Sequence, residues 1–277
     1  MTEALLAHEP QLRLGLFAGV LLVMMLWEIW APRRRQAVSR WQRWPANLGI
    51  VVLNTLLLRL IFPVAAMGTA LAVEAQGWGL LNQIAAPAWI AIPLSLLLLD
   101  LAIYLQHRLF HHVPLFWRLH RMHHADLELD VTSGARFHPV EILLSMLIKI
   151  ALVAALGAPA VAVLLFEILL NASSMFNHSN VAMPTLLDRL LRLILVTPDM
   201  HRVHHSVVPI ETNSNFGFNL SLWDRLLGTY RAEPAAGQLG MTIGIELFRD
   251  PRELRLDRML LQPLRDDGAA APDKPRT

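Results

Sequence analysis

The sequence predicts an all-α integral membrane protein, with three spanning helices, one helical hairpin and a cytoplasmic helical subdomain rich in histidine. Three observations carry this expectation. Of 277 residues, 55% are hydrophobic and only 17% charged, with a mean hydropathy of +0.43. An ordinary soluble domain carries about 25% charged residues. Four apolar blocks approach or exceed the roughly 20 residues that cross a hydrocarbon layer. Eleven of the twelve histidines fall between His107 and His205.

The first three blocks, at residues 12–30, 48–73 and 88–105, each read as one spanning helix. The first is too long for the core of a signal peptide and lacks a small-residue cleavage site, so no cleavable leader is expected. The fourth block, 142–176, is broken at Gly157-Ala158-Pro159. Pro159 cannot continue the first arm but can open the second, which makes a hairpin. Lys149 and Glu167 are the only charges inside its arms, each nine residues from Ala158. At about 1.5 Å per residue both lie roughly 13 Å from the tip, so an ion pair across the hairpin is expected.

Orientation follows from arginine. Arg33, Arg34, Arg35, Arg40 and Arg43 follow the first block, whereas residues 74–87 contain no lysine or arginine. The positive-inside rule then puts the N-terminus outside and every histidine cluster, with the C-terminus, in the cytoplasm. The expected compartment is a bacterial inner membrane. Three segments are expected: N-terminal membrane helices (1–99), a catalytic domain (100–230) and a C-terminal tail (231–277). The tail should hold a strand-like run at 241–247, a short helix at 251–261 and a disordered end from 265. With no cysteine, disulfides, iron–sulfur clusters, thiolate-bound haem and cysteine-type zinc sites are excluded.

The histidines fall into three groups: His107-x-x-x-His111, His120-x-x-His123-His124 and His201-x-x-His204-His205. Residues three and four apart share a helix face, so each group can aim two or three imidazoles at one point. At a histidine frequency of 12 in 277, roughly 0.02 His-x-x-His-His triplets are expected by chance, and two occur. The bland alternative is a set of satisfied histidines in basic interfacial loops. Eight imidazoles are too many for one ion, so two metals fit better. A zinc hydrolase would need glutamate after the first histidine of a pair, and Arg108, Arg121 and Arg202 stand there. A non-enzymatic metal carrier or transporter would put its ligands at the membrane midplane, whereas these lie past the ends of the apolar blocks.

The three groups resemble the fatty acid hydroxylase/sterol desaturase superfamily. Further matches are Arg136-Phe-His-Pro139, Phe176-Asn-His-Ser-Asn180 and Trp223-Asp-Arg-Leu-Leu-Gly-Thr-Tyr230, covering about residues 100–230. The resemblance implies a four-helix membrane anchor, a cytosol-facing centre of two iron ions, and O2-dependent hydroxylation or desaturation of a lipid-like substrate. The lipid could be a fatty acyl chain, sterol, carotenoid, ether lipid or head group. It implies as metal ligands His107, His111, His120, His123, His124, His201, His204 and His205, with His178 as a ninth. Ser174 stands where some relatives carry a further histidine. No dinucleotide fingerprint or haem motif is present, so electrons should come from an external partner of reductase, ferredoxin or cytochrome type. No nucleic-acid partner is expected.

His138 reads equally as a tenth ligand or as a hydrogen-bond partner behind the ligands. His112, about 100° round the helix from His111, reads as interfacial. Metal-bound histidines usually donate their other N–H to a carboxylate or carbonyl. Asp100, Tyr104, His107 and His111 form one helical stripe, which makes Asp100 a candidate for that role, with a pair to Arg59 as the structural alternative. Asn180 and Asp199 are weaker candidates of the same kind.

Overall fold

The computed structural model describes residues 8–265. Among them every regular element is helical, and pairing between extended segments is limited to three isolated bridges. The chain runs through α1 (Glu9–Trp30), α2 (Arg40–Ile61), α3 (Ala65–Ala75), the single turn α4 (Leu80–Gln83), α5 (Ala88–His112), α6 (Pro114–His124), α7 (Pro139–Leu156), α8 (Ala160–Asn177), α9 (Thr185–Leu191) and α10 (Pro198–His204). Shorter turns follow. Five stretches are long and apolar enough to cross a membrane: α1, the run Arg40–Gln83, α5, α7 and α8. Their outer faces expose leucine, valine and isoleucine, such as Leu22, Val52, Leu60 and Leu169, as a lipid-facing surface does.

The second apolar block is not one helix. Pro63 disfavours helical geometry at Phe62 and removes an N–H, so α2 ends at Ile61 and α3 starts again at Ala65. α3 then packs its small residues Ala66 and Ala70 with Val153, Ala158, Val163 and Phe166 of the hairpin. The hairpin itself forms as expected. Pro139 opens α7 at its first position, Gly157 takes the left-handed conformation at the end of the arm, and Pro159 precedes α8.

Lys149 Nζ lies 2.7 Å from Glu167 Oε1, which is the pair expected from equal depth. Arg13 of α1 takes the other oxygen of the same carboxylate. The pair is therefore a triad, and it ties α1 to the hairpin. The 241–247 run forms no strand; it makes one bridge, Ser206 to Ile243, flanked by hydrogen bonds from Val207 N to Thr242 O and from Gly244 N to His205 O. Short helices occupy Pro251–Leu254 and Leu256–Leu261. The disordered end expected from 265 falls, beyond Arg265, outside the described residues.

The arginines after α1 are tied to later parts of the chain. Arg43 is fully buried and grips Asp126 through two bonds (2.7 and 2.8 Å) and Asp130 at 2.5 Å. Burial alone would push the Asp126 carboxyl up, but the guanidinium outweighs it and holds the group well below the usual carboxylate range. Arg33 binds Asp199, and Arg34 binds the Met241 carbonyl. These contacts hold the segment 125–136 and the start of α10, both of which adjoin histidines.

Candidate metal centre

Nine histidines converge in one buried volume, from four places in the chain: the end of α5, the end of α6, the residue after α8, and α10 with the residue after it. They form two sets. His107, His111, His120, His124 and His204 make one; His123, His178, His201 and His205 make the other. Within each set, one nitrogen from every ring lies within 4.8 Å of the others.

The two His-x-x-His-His motifs divide between the sets, which the spacing alone did not show. His120 and His124 enter the first set and His123 the second; His201 and His205 enter the second and His204 the first. In each motif the residues four apart stay together. Adjacent residues diverge by about 100° round a helix, so the neighbour of the last histidine must face elsewhere. Each motif thus serves both sets.

The rings are held from behind. His107 Nδ1 donates to the Phe216 carbonyl (2.8 Å), His123 Nδ1 to Arg136 (3.1 Å), His178 Nδ1 to Ser174 (2.7 Å) and His204 Nδ1 to Ser214 (2.8 Å). His120 Nδ1 donates to the Glu141 carboxylate at 2.7 Å. With the proton on Nδ1, Nε2 is left as a bare lone pair. Two pairs of such nitrogens nevertheless approach to 3.1 Å: His107 with His120, and His123 with His178. Lone pairs facing one another at that distance repel unless a cation lies between them. Nitrogens of His111, His124, His204 and His205 are likewise buried without a hydrogen-bond partner.

Burial also disfavours the charged form of six of these rings. It pushes the pKa of His178 and His204 down to about 3, and those of His123, His124, His201 and His205 well below the ordinary histidine value. A metal needs the neutral imidazole, so this donor set fits divalent first-row ions bound by nitrogen.

Residues 92–229 match the family model described as fatty acid hydroxylase. The chain belongs to the fatty acid hydroxylase family through this segment. An ornithine lipid hydroxylase of Rhizobium tropici, OlsE, is 35% identical over 158 residues, covering 56% of this chain and 47% of that protein. Human alkylglycerol monooxygenase is 29% identical over 154 residues, 54% of this chain and 32% of that protein. Cholesterol 25-hydroxylase of Rattus norvegicus is 28% identical over 148 residues, 53% and 48% respectively. The chain thus spans less than half the length of each of these relatives. No solved structure gives a significant match.

The other candidate residues of this family member lie outside the two histidine sets. His138 caps α7, its Nδ1 accepting from Val140 N while Nε2 faces the Leu260 carbonyl. His112 is exposed and bonded to Arg108 O. Asp100 touches neither an imidazole nor Arg59. It accepts from Asn219 Nδ2 (2.7 Å), Trp223 Nε1 (2.9 Å) and Leu220 N (3.3 Å). The stripe it shares with Tyr104 and His107 docks the segment 216–229, with Tyr104 bonded to Thr229 and His107 to Phe216. Asn180 bonds the backbone of Arg34, and Asp199 binds Arg33 and Arg202.

The carboxylate that does reach a ring is Glu141. Sequence reasoning passed over it because it lies just outside the hairpin block. The available signal was its position three residues after His138, in the first turn of α7.

Proposed function

We propose that this chain is a membrane-embedded, non-haem di-iron enzyme that hydroxylates or desaturates a lipid with O2. The observation that carries the reading is the buried double set of imidazoles, in which Nε2 atoms face one another at 3.1 Å and other ring nitrogens have no hydrogen-bond partner. Its relatives are named as hydroxylases or monooxygenases of ornithine lipid, alkylglycerol and cholesterol.

In this reading His107, His111, His120, His124 and His204 hold one iron, and His123, His178, His201 and His205 the other. Bound iron supplies the activation of O2 at an unreactive C–H bond. Insertion of one oxygen atom, with the other leaving as water, consumes two electrons and two protons. A reductase, ferredoxin or cytochrome-type partner provides the electrons. The chain itself fixes five of the nine imidazole tautomers through Glu141 and four backbone carbonyls, excludes water by burial, and presents the lipid through the cavity beside His107 and His120. The N-terminus lies outside a bacterial inner membrane and the histidines and C-terminus inside. Residues 1–99 serve as anchor, 100–230 as catalytic domain and 231–277 as a cytoplasmic tail.

Purified protein should retain two iron ions per chain, and a deletion strain should lose a lipid 16 daltons heavier, or 2 daltons lighter, than its precursor. Protein that binds iron yet consumes no O2 with any reductant and any lipid would instead be a metal carrier.

A further inference from the structure

A cavity of about 300 Å³ opens beside the histidines, between α1, α2, α5, α7 and α8. His107, His120 and Glu141 line it near the metal centre, and Lys149 and Glu167 line it farther along the hairpin. Glu141 and Lys149 are eight residues apart on α7, which separates the two regions by about 12 Å.

A pocket for bare hydrocarbon needs only apolar walls. Three of its lining residues carry a buried acceptor oxygen without a hydrogen-bond partner: Asn54 Oδ1, Gln106 Oε1 and Glu141 Oε2. Asn54 is 7% exposed and Glu141 3%. The Asn54 amide is oriented by its Nδ2, which donates to the Phe137 carbonyl at 2.9 Å, so the oxygen is the free atom. The other Glu141 oxygen is taken by His120. Gln106 directly precedes His107, and its Nε2 donates to Ser145 Oγ. Burying acceptors unpaired is costly, and a ligand with N–H or O–H donors removes the cost. Farther along, the Lys149 ammonium has three donors and meets Glu167 through one contact, leaving it able to serve an acceptor in the cavity. A smaller apolar groove, lined by Leu16, Val20, Ile168 and Ala172, adjoins the cavity at Phe17, Asn171 and Met175, between α1 and α8.

We propose that the cavity holds the polar head of a hydroxyl- or amine-bearing lipid. The head donates hydrogen bonds to Asn54, Gln106 and Glu141 beside His107 and His120. A carbonyl, ether or phosphate oxygen of the same molecule reaches Lys149, and the apolar tail leaves along the groove between α1 and α8. The C–H bond that reacts therefore belongs to the head group or to a carbon next to it, and not to the middle of an acyl chain. This rests on the lipid-oxygenase reading of the histidine centre.

The test uses the full chain in detergent, loaded with iron and kept anaerobic so that binding is read without turnover. Three probes share one sixteen-carbon chain: a monoalkylglycerol, an Nα-acyl lysine with a free ammonium, and a fatty acid methyl ester, which has no donor. At least one donor-bearing probe should bind about tenfold or more tighter than the ester. Gln106→Met and Asn54→Leu should each weaken that probe by about tenfold while the ester's affinity stays the same, which also reports that both variants fold. On admitting O2 and a reductant, tandem mass spectrometry should place the new oxygen in the head fragment. Equal binding of the ester, variants with unchanged selectivity, or oxygen inserted mid-chain would overturn the proposal. Selective binding with no product from any probe would support the subsite and overturn the oxygenase reading.

Discussion

Glu141→Gln tests the outer support of the metal centre with almost no change of volume. The side chain is 4% exposed, its partner imidazole 2%, and the His120 Nδ1 to Glu141 Oε1 distance is 2.7 Å, in the range of charge-assisted hydrogen bonds. Glutamine can still accept that bond through its amide oxygen, so the ring keeps its tautomer. What is lost is the negative charge that raises the basicity of His120. Outer carboxylates of this kind are worth about 10- to 100-fold in metal affinity, or about 1.4–2.7 kcal/mol. Little solvent is present to screen the change. The assay is chelator competition on purified protein, reading the iron dissociation constant for the first histidine set, with thermal unfolding of the metal-free protein as the fold control. The expected result is 10- to 100-fold weaker binding of one iron and unchanged affinity for the other. Equal affinity at both positions would refute the claim that Glu141 tunes His120.

The Arg13–Glu167–Lys149 triad predicts non-additive stabilities. Glu167→Gln leaves Lys149 without its carboxylate, while Arg13 keeps Glu9, and should cost about 3–5 kcal/mol in a detergent unfolding assay, more than Lys149→Met, and the double variant should be less damaged than the sum; simple additivity would mean the contact is not energetic. His123→Ala removes one of four donors from the second set, so iron content should fall from about two per chain toward one while the helical circular dichroism signal stays; full iron content would remove His123 from the ligands. Acid should destabilise the metal-free protein. His178 and His204 take protons near pH 3 when folded but near 6.5 when unfolded, so their stability is full above about pH 6.5 and is lost as pH falls through that window. Each contributes a loss of about 2 kcal/mol between pH 6.5 and 4.5, and a melting temperature flat over that range would contradict the neutral-imidazole description.

Much of the site was legible because metal ligation demands a rare residue at helical spacing. The three histidine groups stand out by residue type and interval, whereas His178 follows only from the family resemblance of Phe176-Asn-His-Ser-Asn180. The hairpin was legible for a similar reason. Gly157 and Pro159 punctuate an otherwise uniform apolar run, and two isolated charges at equal distance from the tip have few ways to avoid each other. Asp100 was misjudged because a helical stripe defines a face but not what packs on it; that face receives the loop 216–229, and its carboxylate is spent on Asn219 and Trp223. Pro63 breaks an otherwise uniform apolar block, so composition alone does not separate α2 from α3.

By itself the sequence determined the membrane character, the all-helical class, the hairpin and the histidines, because burial in lipid and metal ligation each restrict composition at fixed local intervals. Tertiary structure alone decided how those histidines divide between two sets, which carbonyls and which carboxylate stand behind five of the rings, and that Arg43 and Arg33 tie to Asp126 and Asp199. These pairings join residues 83 and 166 positions apart. No local interval encodes such a partnership; it follows from how α2, α6, α8 and α10 pack.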